Sequence, residues 1–143
     1  MASLGGYQNR GTGKAYGVEL MLRLKRDDVF GWISYTGARA TRVDQPGAPG
    51  ARERLFDYDQ AHNVIAVASW RLSPKWTVGG RFQLTTGKPY TPVTSSVYQA
   101  DRDSYLPQFG ETNSRRVETQ HQLDLRLDRV WQFRTWKLSG YLD

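Results

Sequence analysis

The sequence predicts an all-β chain, an antiparallel meander of about six long strands that makes an incomplete segment of a transmembrane β-barrel. Three observations predict it. Apolar and polar residues alternate with a period of two, which on a strand gives one apolar face and one wet face. The connections between alternating stretches run short, long, short, long, short, and outer-membrane barrels keep their short turns and long loops at opposite ends. Aromatic residues reach 13%, with five Trp and eight Tyr, the residue types that form belts at membrane interfaces.

Each element follows in order. Residues 1–13, rich in Gly, Asn and Thr, read as a loop. The first strand covers about 14–26: Tyr16, Val18, Leu20, Leu22 and Leu24 take one face, and Glu19, Met21, Arg23 and Lys25 the other. Arg26-Asp27-Asp28 is a tight turn. The second strand, about 29–42, has a less clean phase, with Gly31, Ile33 and Tyr35 outward and Ser34 and Thr36 inward. A long connection, 43–59, carries Pro46-Gly47-Ala48-Pro49-Gly50. The third strand, about 60–72, puts Val64, Ala66, Ala68, Trp70 and Leu72 outward, although Ile65 and Val67 blur the contrast on the inner face.

Ser73-Pro74-Lys75 is the next tight turn, where Pro removes no needed donor. The fourth strand, about 76–86, alternates Trp76, Val78, Gly80, Phe82 and Leu84 with Thr77, Gly79, Arg81, Gln83 and Thr85. Ten residues tilted by about 45° suffice to cross a bilayer's hydrocarbon. The second long connection, 87–119, contains Pro89, Pro92, Pro107 and three tyrosines. The fifth strand, about 120–132, alternates through His121-Gln122-Leu123-Asp124-Leu125-Arg126-Leu127-Asp128. The sixth, about 135–143, sets Trp136, Leu138 and Leu142 against Lys137, Ser139 and Tyr141. Connections longer than about 12–15 residues are uncommon in compact soluble domains, another point for the barrel.

Composition excludes several classes. Mean hydropathy is −0.65 and no apolar run approaches the length of a helical span. There is no cysteine, which removes disulfide scaffolds and thiolate zinc sites. Met1-Ala2-Ser3-Leu4-Gly5-Gly6 has no basic n-region and no apolar h-region, so it does not read as a signal peptide. Thr86-Gly87-Lys88 is not a phosphate loop, because Gly80 is misplaced and Pro89 stands where Ser or Thr is needed. His62 and His121 have no metal-ligand spacing, and Asp101-Arg102-Asp103 lacks the glycine and spacing of a calcium loop. No catalytic residues, metal or cofactor are expected, and the chain is read as a non-enzyme.

Several segments resemble the TonB-dependent outer-membrane receptors. Tyr7-Gln8-Asn9-Arg10-Gly11-Thr12-Gly13-Lys14-Ala15-Tyr16-Gly17-Val18-Glu19-Leu20 is similar to the lead into a late barrel strand of that family. Trp32-Ile33-Ser34-Tyr35-Thr36 is similar to its returning strand, and Phe56-Asp57-Tyr58-Asp59-Gln60-Ala61-His62-Asn63 to the start of the next. Thr86-Gly87-Lys88-Pro89-Tyr90-Thr91-Pro92 and His121-Gln122-Leu123-Asp124-Leu125-Arg126 complete the set in family order. The family's plug domain and TonB-contacting box have no counterpart here, and its barrels have many more than six strands.

The resemblance implies a late portion of a receptor barrel in a Gram-negative outer membrane, without transport activity of its own. The whole receptor would import a scarce ligand of the siderophore, cobalamin, saccharide or peptide class. Its partners would be outer-membrane lipid, the rest of the barrel and plug, and the TonB system through the N-terminal part. In this segment Tyr90, Tyr98 and Tyr105 would be ligand-contact candidates on the loops, with packing inside the loops as their alternative role. Glu19, Arg23, Arg81, Gln83, Asp124, Arg126 and Asp128 would line the lumen, where opposite charges on neighbouring strands ordinarily solvate a polar interior. Two other readings stand beside it. One is a small autonomous outer-membrane barrel. The other is a soluble β module binding single-stranded nucleic acid, suggested by a net charge of +6 and interleaved aromatics. The cations do not cluster as a stripe, so no nucleic acid is expected.

Overall fold

The computed structural model of the chain describes residues 10–143. The regular elements among them are strands: β1 (Thr12–Lys25), β2 (Val29–Val43), β3 (Arg54–Leu55), β4 (His62–Ser73), β5 (Trp76–Thr85), β6 (Pro89–Tyr90), β7 (Val93–Gln99), β8 (Ser104–Phe109), β9 (Arg115–Arg116), β10 (Gln120–Gln132) and β11 (Lys137–Leu142). The chain is all-β and antiparallel. Of the loop read over residues 1–13, positions 1–9 lie outside the described residues, and β1 already begins at Thr12. Gly13 allows this: a Cβ there would sit 3.3 Å from the Thr41 carbonyl oxygen, so the missing side chain admits a neighbouring backbone.

The chain divides into two compact units. The first, residues 17–38, 60–87 and 118–143, is the long-stranded sheet, in the order β1-β2-β4-β5-β10-β11. β1 and β11 end that order with one neighbour each, so the sheet is open and both outer strands keep an edge of unpaired N–H and C=O groups.

Register decides which side chains share a face, because directly opposed residues of paired strands point the same way. Gly31 opposes Ala68, Ile33 opposes Ala66 and Tyr35 opposes Val64. Across the next pair Ala68 meets Gly80, Ala66 meets Phe82 and Val64 meets Leu84. β10 continues the rows with Leu125, Leu123 and His121, and Leu127 carries one row on to Leu142. The apolar phase of β2 is thereby fixed, and one mainly apolar face, which also carries His121 and Arg129, runs over five strands. The opposite face carries Ser34, Asn63, Arg81, Gln83, Asp124 and Arg126 in the alternate rows.

The turns at one end are short. Arg26 N–H donates to the Val29 carbonyl at 2.8 Å. The Ser73 hydroxyl accepts from Lys75 N–H at 3.3 Å and Trp76 N–H at 3.2 Å, which satisfies two donors around Pro74. Phe133 N–H donates to the Trp136 carbonyl at 2.9 Å, and the two rings stack at 4.0 Å. No hydrophobic side chain is buried among the described residues, and Leu22, Leu123, Leu125 and Leu142 are all more than half exposed. Among the described residues the sheet's apolar face keeps its large side chains exposed.

The second unit includes residues 39–59 and 88–117. β3 pairs with the end of β2 through Thr41–Leu55 and Arg42–Arg54. β6 pairs with β9, and β7 and β8 form a hairpin with Val97 opposite Leu106 and Tyr98 opposite Tyr105. The 87–119 connection is therefore structured, because Val93, Val97 and Tyr98 favour extended backbone and Asp103 takes the left-handed turn conformation at φ 47°.

Candidate functional site

The two long connections converge in the second unit on a cleft of about 650 Å³, within the usual range for small-ligand sites. Residues 43–45 and 48–55 supply one wall and Glu111, Thr112, Asn113 and Ser114 the other. Gly47 and Gly50, at φ 85° and 82°, let the Pro46–Gly50 segment fold back, since positive φ is open to glycine at no steric cost.

Arg54 organises the first wall. Its guanidinium donates from Nε to Asp44 Oδ2 at 2.6 Å and from Nη2 to Oδ1 at 3.1 Å, a two-pronged grip. Its third nitrogen donates to Asp57 Oδ1 at 2.9 Å and to the Leu55 carbonyl at 3.1 Å. The hydrogen bonds from Arg54 hold the Asp44 carboxyl below its ordinary pKa. Those from Asn113 and then Arg54 do the same for Asp57.

Both folded-state pKa values are depressed. The stability these carboxylates contribute is fully present above their unfolded value of about 3.9 and is lost as pH falls through the folded values. Acidification below about pH 4 is therefore expected to release the 43–59 connection. Protease cleavage within 43–59, followed from pH 6 to pH 2.5, checks this; an unchanged cleavage rate over that range would reject it. The effect should be modest, because both carboxylates are about half exposed.

Asn113 ties the two walls together. It is buried and left-handed, at φ 56°. Its Nδ2 donates to the Leu55 carbonyl at 2.9 Å and to Asp57 Oδ1 at 2.5 Å, and its backbone N–H donates to the Thr91 hydroxyl at 3.1 Å. Asn113→Ala loses both side-chain bonds and puts a Cβ-bearing residue without a local polar partner in αL, at a cost of about 2–4 kcal/mol. Asn113→Gly keeps the backbone and should cost about 1 kcal/mol less. Amide exchange at residues 55–57 reads both. Equal exchange in the wild type and the alanine variant would show that the wall does not depend on this side chain.

At the mouth of the cleft, Arg52 Nη1 and Glu111 Oε1 meet at 3.1 Å. Both are exposed, so this pair is weak. Beneath the walls Asp59 is nearly inaccessible. It accepts from Ala40 N–H at 2.5 Å and from the Arg116 guanidinium. Among the described residues no group of three His, Cys, Asp or Glu is placed to hold a metal ion.

The three tyrosines proposed for ligand contact lie elsewhere on the connections. Tyr90 is on β6, and Tyr98 and Tyr105 face each other across the β7–β8 hairpin with centroids 5.3 Å apart. Tyr98 donates to Asp103 Oδ1 at 2.8 Å, which raises the pKa of its phenol. None of the three lines the cleft.

In the sheet, Arg81, Gln83, Asp124, Arg126 and Asp128 share the polar face by register. Arg81 donates to Gln83 at 3.0 Å, Gln122 to Asp124 at 2.8 Å and Arg126 to Asp128 at 2.9 Å. Arg126 also lies 4.0 Å from the Tyr141 ring. Glu19 and Arg23 occupy one face of β1 and are exposed. The polar face is thus a set of short-range charge and hydrogen-bond pairs.

Sequence reading missed Asn113, Arg116 and Arg54. They sit in connections without periodicity, so nothing in spacing marks them. Asp57 did carry a signal, as the Asp of the Phe56–Asn63 segment, whereas Asp59 did not. No protein-family model, curated protein or solved structure matches the chain.

Proposed function

We propose that the chain is a portion of a TonB-dependent outer-membrane receptor barrel, without transport activity by itself. The observation that carries the membrane part of this reading is the uncovered apolar face. It is continuous over five register-paired strands, Leu125 at its centre is 64% exposed, and no hydrophobic side chain is buried among the described residues. A soluble sheet buries such a face against a second layer. A barrel strand presents it to lipid.

The other features support the same assignment. From the Trp76 row to the Leu84 row the face spans eight residue steps, about 26 Å of extended strand, comparable to the apolar band of a barrel wall. Trp70, Trp76 and Trp131 border it at the short-turn end, where an aromatic girdle belongs. The free edges of β1 and β11 call for further strands, since hydrocarbon tolerates no unpaired backbone. The polar face would meet the plug, and the cleft between the long connections would contribute to a site for an imported ligand. The receptor identity itself rests on the segment resemblances.

Sequencing the DNA on both sides of the reading frame tests it. An in-frame plug domain upstream and further alternating strands downstream are expected. A signal peptide immediately upstream with a stop soon after Asp143 would replace the receptor by a small autonomous barrel.

A further inference from the structure

Arg129 stands out on the apolar face. Register puts it in the row Trp76–Arg129–Gly140, between the row of Val78, Leu127 and Leu142 and the row of Trp131 and Leu138. Among the register-paired residues of β2, β4, β5, β10 and β11 it is the one Lys or Arg on that face. Its guanidinium carbon lies 4.8 Å from the Trp76 ring centroid and 4.9 Å from that of Trp131. Gly140 makes room for this arrangement, because a Cβ there would stand 3.2 Å from the Trp131 ring.

Two ring contacts hold a cation without neutralising it. An indole face offers no acceptor lone pair, and the indole N–H is itself a donor. Arg129 is exposed, and no carboxylate pairs with it among the described residues. Its five planar donors suit a phosphate, which guanidinium binds through two parallel bonds. The surrounding charge has the same sign. The short turns bring Lys25, Arg26, Lys75, Arg134 and Lys137 to this end of the sheet, against Asp27 and Asp28.

We propose that Arg129, held between Trp76 and Trp131, is a binding site for the phosphate of an anionic phospholipid headgroup at the short-turn interface of the membrane. The rings would sit at the headgroup boundary, where Trp is favoured, and the guanidinium would pair with the phosphodiester at that depth. The adjacent Leu127 and Leu142 would lie along the acyl chains. This inference rests on the membrane reading above.

The test uses the full 143-residue chain, refolded into vesicles that mix phosphatidylcholine with phosphatidylglycerol. In one set the first lipid carries brominated acyl chains, in the other the second. Bromine quenches nearby tryptophan, so the ratio of the two quenching curves gives the relative affinity for the anionic lipid. A preference of about fivefold is expected at low salt, the factor that one surface-level Arg contributes. It should fall as salt rises, drop about fivefold below the wild-type value in Arg129→Gln and drop less in Arg129→Lys, which keeps the charge but loses the fork. The salt series needs no variant, so a misfolded substitution does not decide the matter. Equal quenching by both lipids in the wild type overturns the headgroup site and leaves the membrane reading standing. Quenching by neither lipid overturns the headgroup site. Quenching by a single-stranded oligonucleotide, with no lipid preference, would make the Trp–Arg–Trp row a base-stacking surface instead.

Discussion

Leu125→Arg is expected to weaken membrane insertion by about 2–4 kcal/mol, the cost of a cation facing lipid near the bilayer midplane. Leu125 is the residue for this test because of its row. On β10, Arg129 and Leu127 lie between it and the short turn, and Leu123 and His121 lie toward the long connections. It opposes Gly80, whose missing side chain leaves Leu125 as the dominant apolar surface at that level. Three residues away on the same strand, Gln122 belongs to the polar face, opposite Gln83. Gln122→Arg adds the same charge where the barrel reading places water, and it should be nearly neutral. Denaturant titration of vesicle-bound protein, read by tryptophan fluorescence, measures both. The sign separates the alternatives. In a soluble β module Leu125 is an exposed leucine, and an arginine there leaves stability unchanged or improves solubility. An inserted fraction that does not respond to Leu125→Arg, or that responds equally to Gln122→Arg, would remove the lipid from the argument.

The strands were legible because their pattern is one-dimensional. β5 and β10 alternate cleanly, and the period of two requires no partner to be read. The all-β antiparallel class follows from such stretches and the short turns between them. β2 was harder. Phe30 and Trp32 on its inner side are as apolar as Ile33 and Tyr35 on the outer, so its phase emerges only from opposition to Ala66 and Val64. The loops followed other physics. The cleft depends on Arg54 gripping Asp44, on Asn113 reaching Leu55 across 58 residues, and on Arg116 reaching Asp59 across 57. Such pairs join polar residues with no periodic relation, and in one sequence every Asp and Arg of a loop is equally eligible. A tyrosine's place in a loop sequence says nothing about where a hairpin directs its ring. Tyr98 and Tyr105 are set against each other across the hairpin.

Asp59→Ala is expected to cost the loop unit about 3 kcal/mol, from breaking a buried ion pair. The Asp59 side chain is 1% exposed, whereas that of Arg116 keeps 29%, which puts the cost at the low end for buried pairs. Two losses combine. Ala40 N–H loses its acceptor at the point where the chain leaves β2's central stretch, and the Arg116 guanidinium keeps only the Asp59 backbone carbonyl, at 3.1 Å, of the two groups it grips on that residue. Asp59→Asn retains an acceptor for Ala40 but not the charge, and should cost about half as much. Hydrogen exchange at Phe56, whose N–H donates to the Ala40 carbonyl at 2.9 Å, reports the local opening. Exchange at Phe82 and Leu123 in the sheet serves as the control. The double variant with Arg116→Ala distinguishes a true pair from two separate contacts. Arg116→Ala strands a buried carboxylate and Asp59→Ala takes that carboxylate from the guanidinium, so removing both should cost less than the two single effects added. Strict additivity would mean that the short contact between them contributes nothing, and unchanged exchange at Phe56 would mean that Asp59 does not hold the connections together.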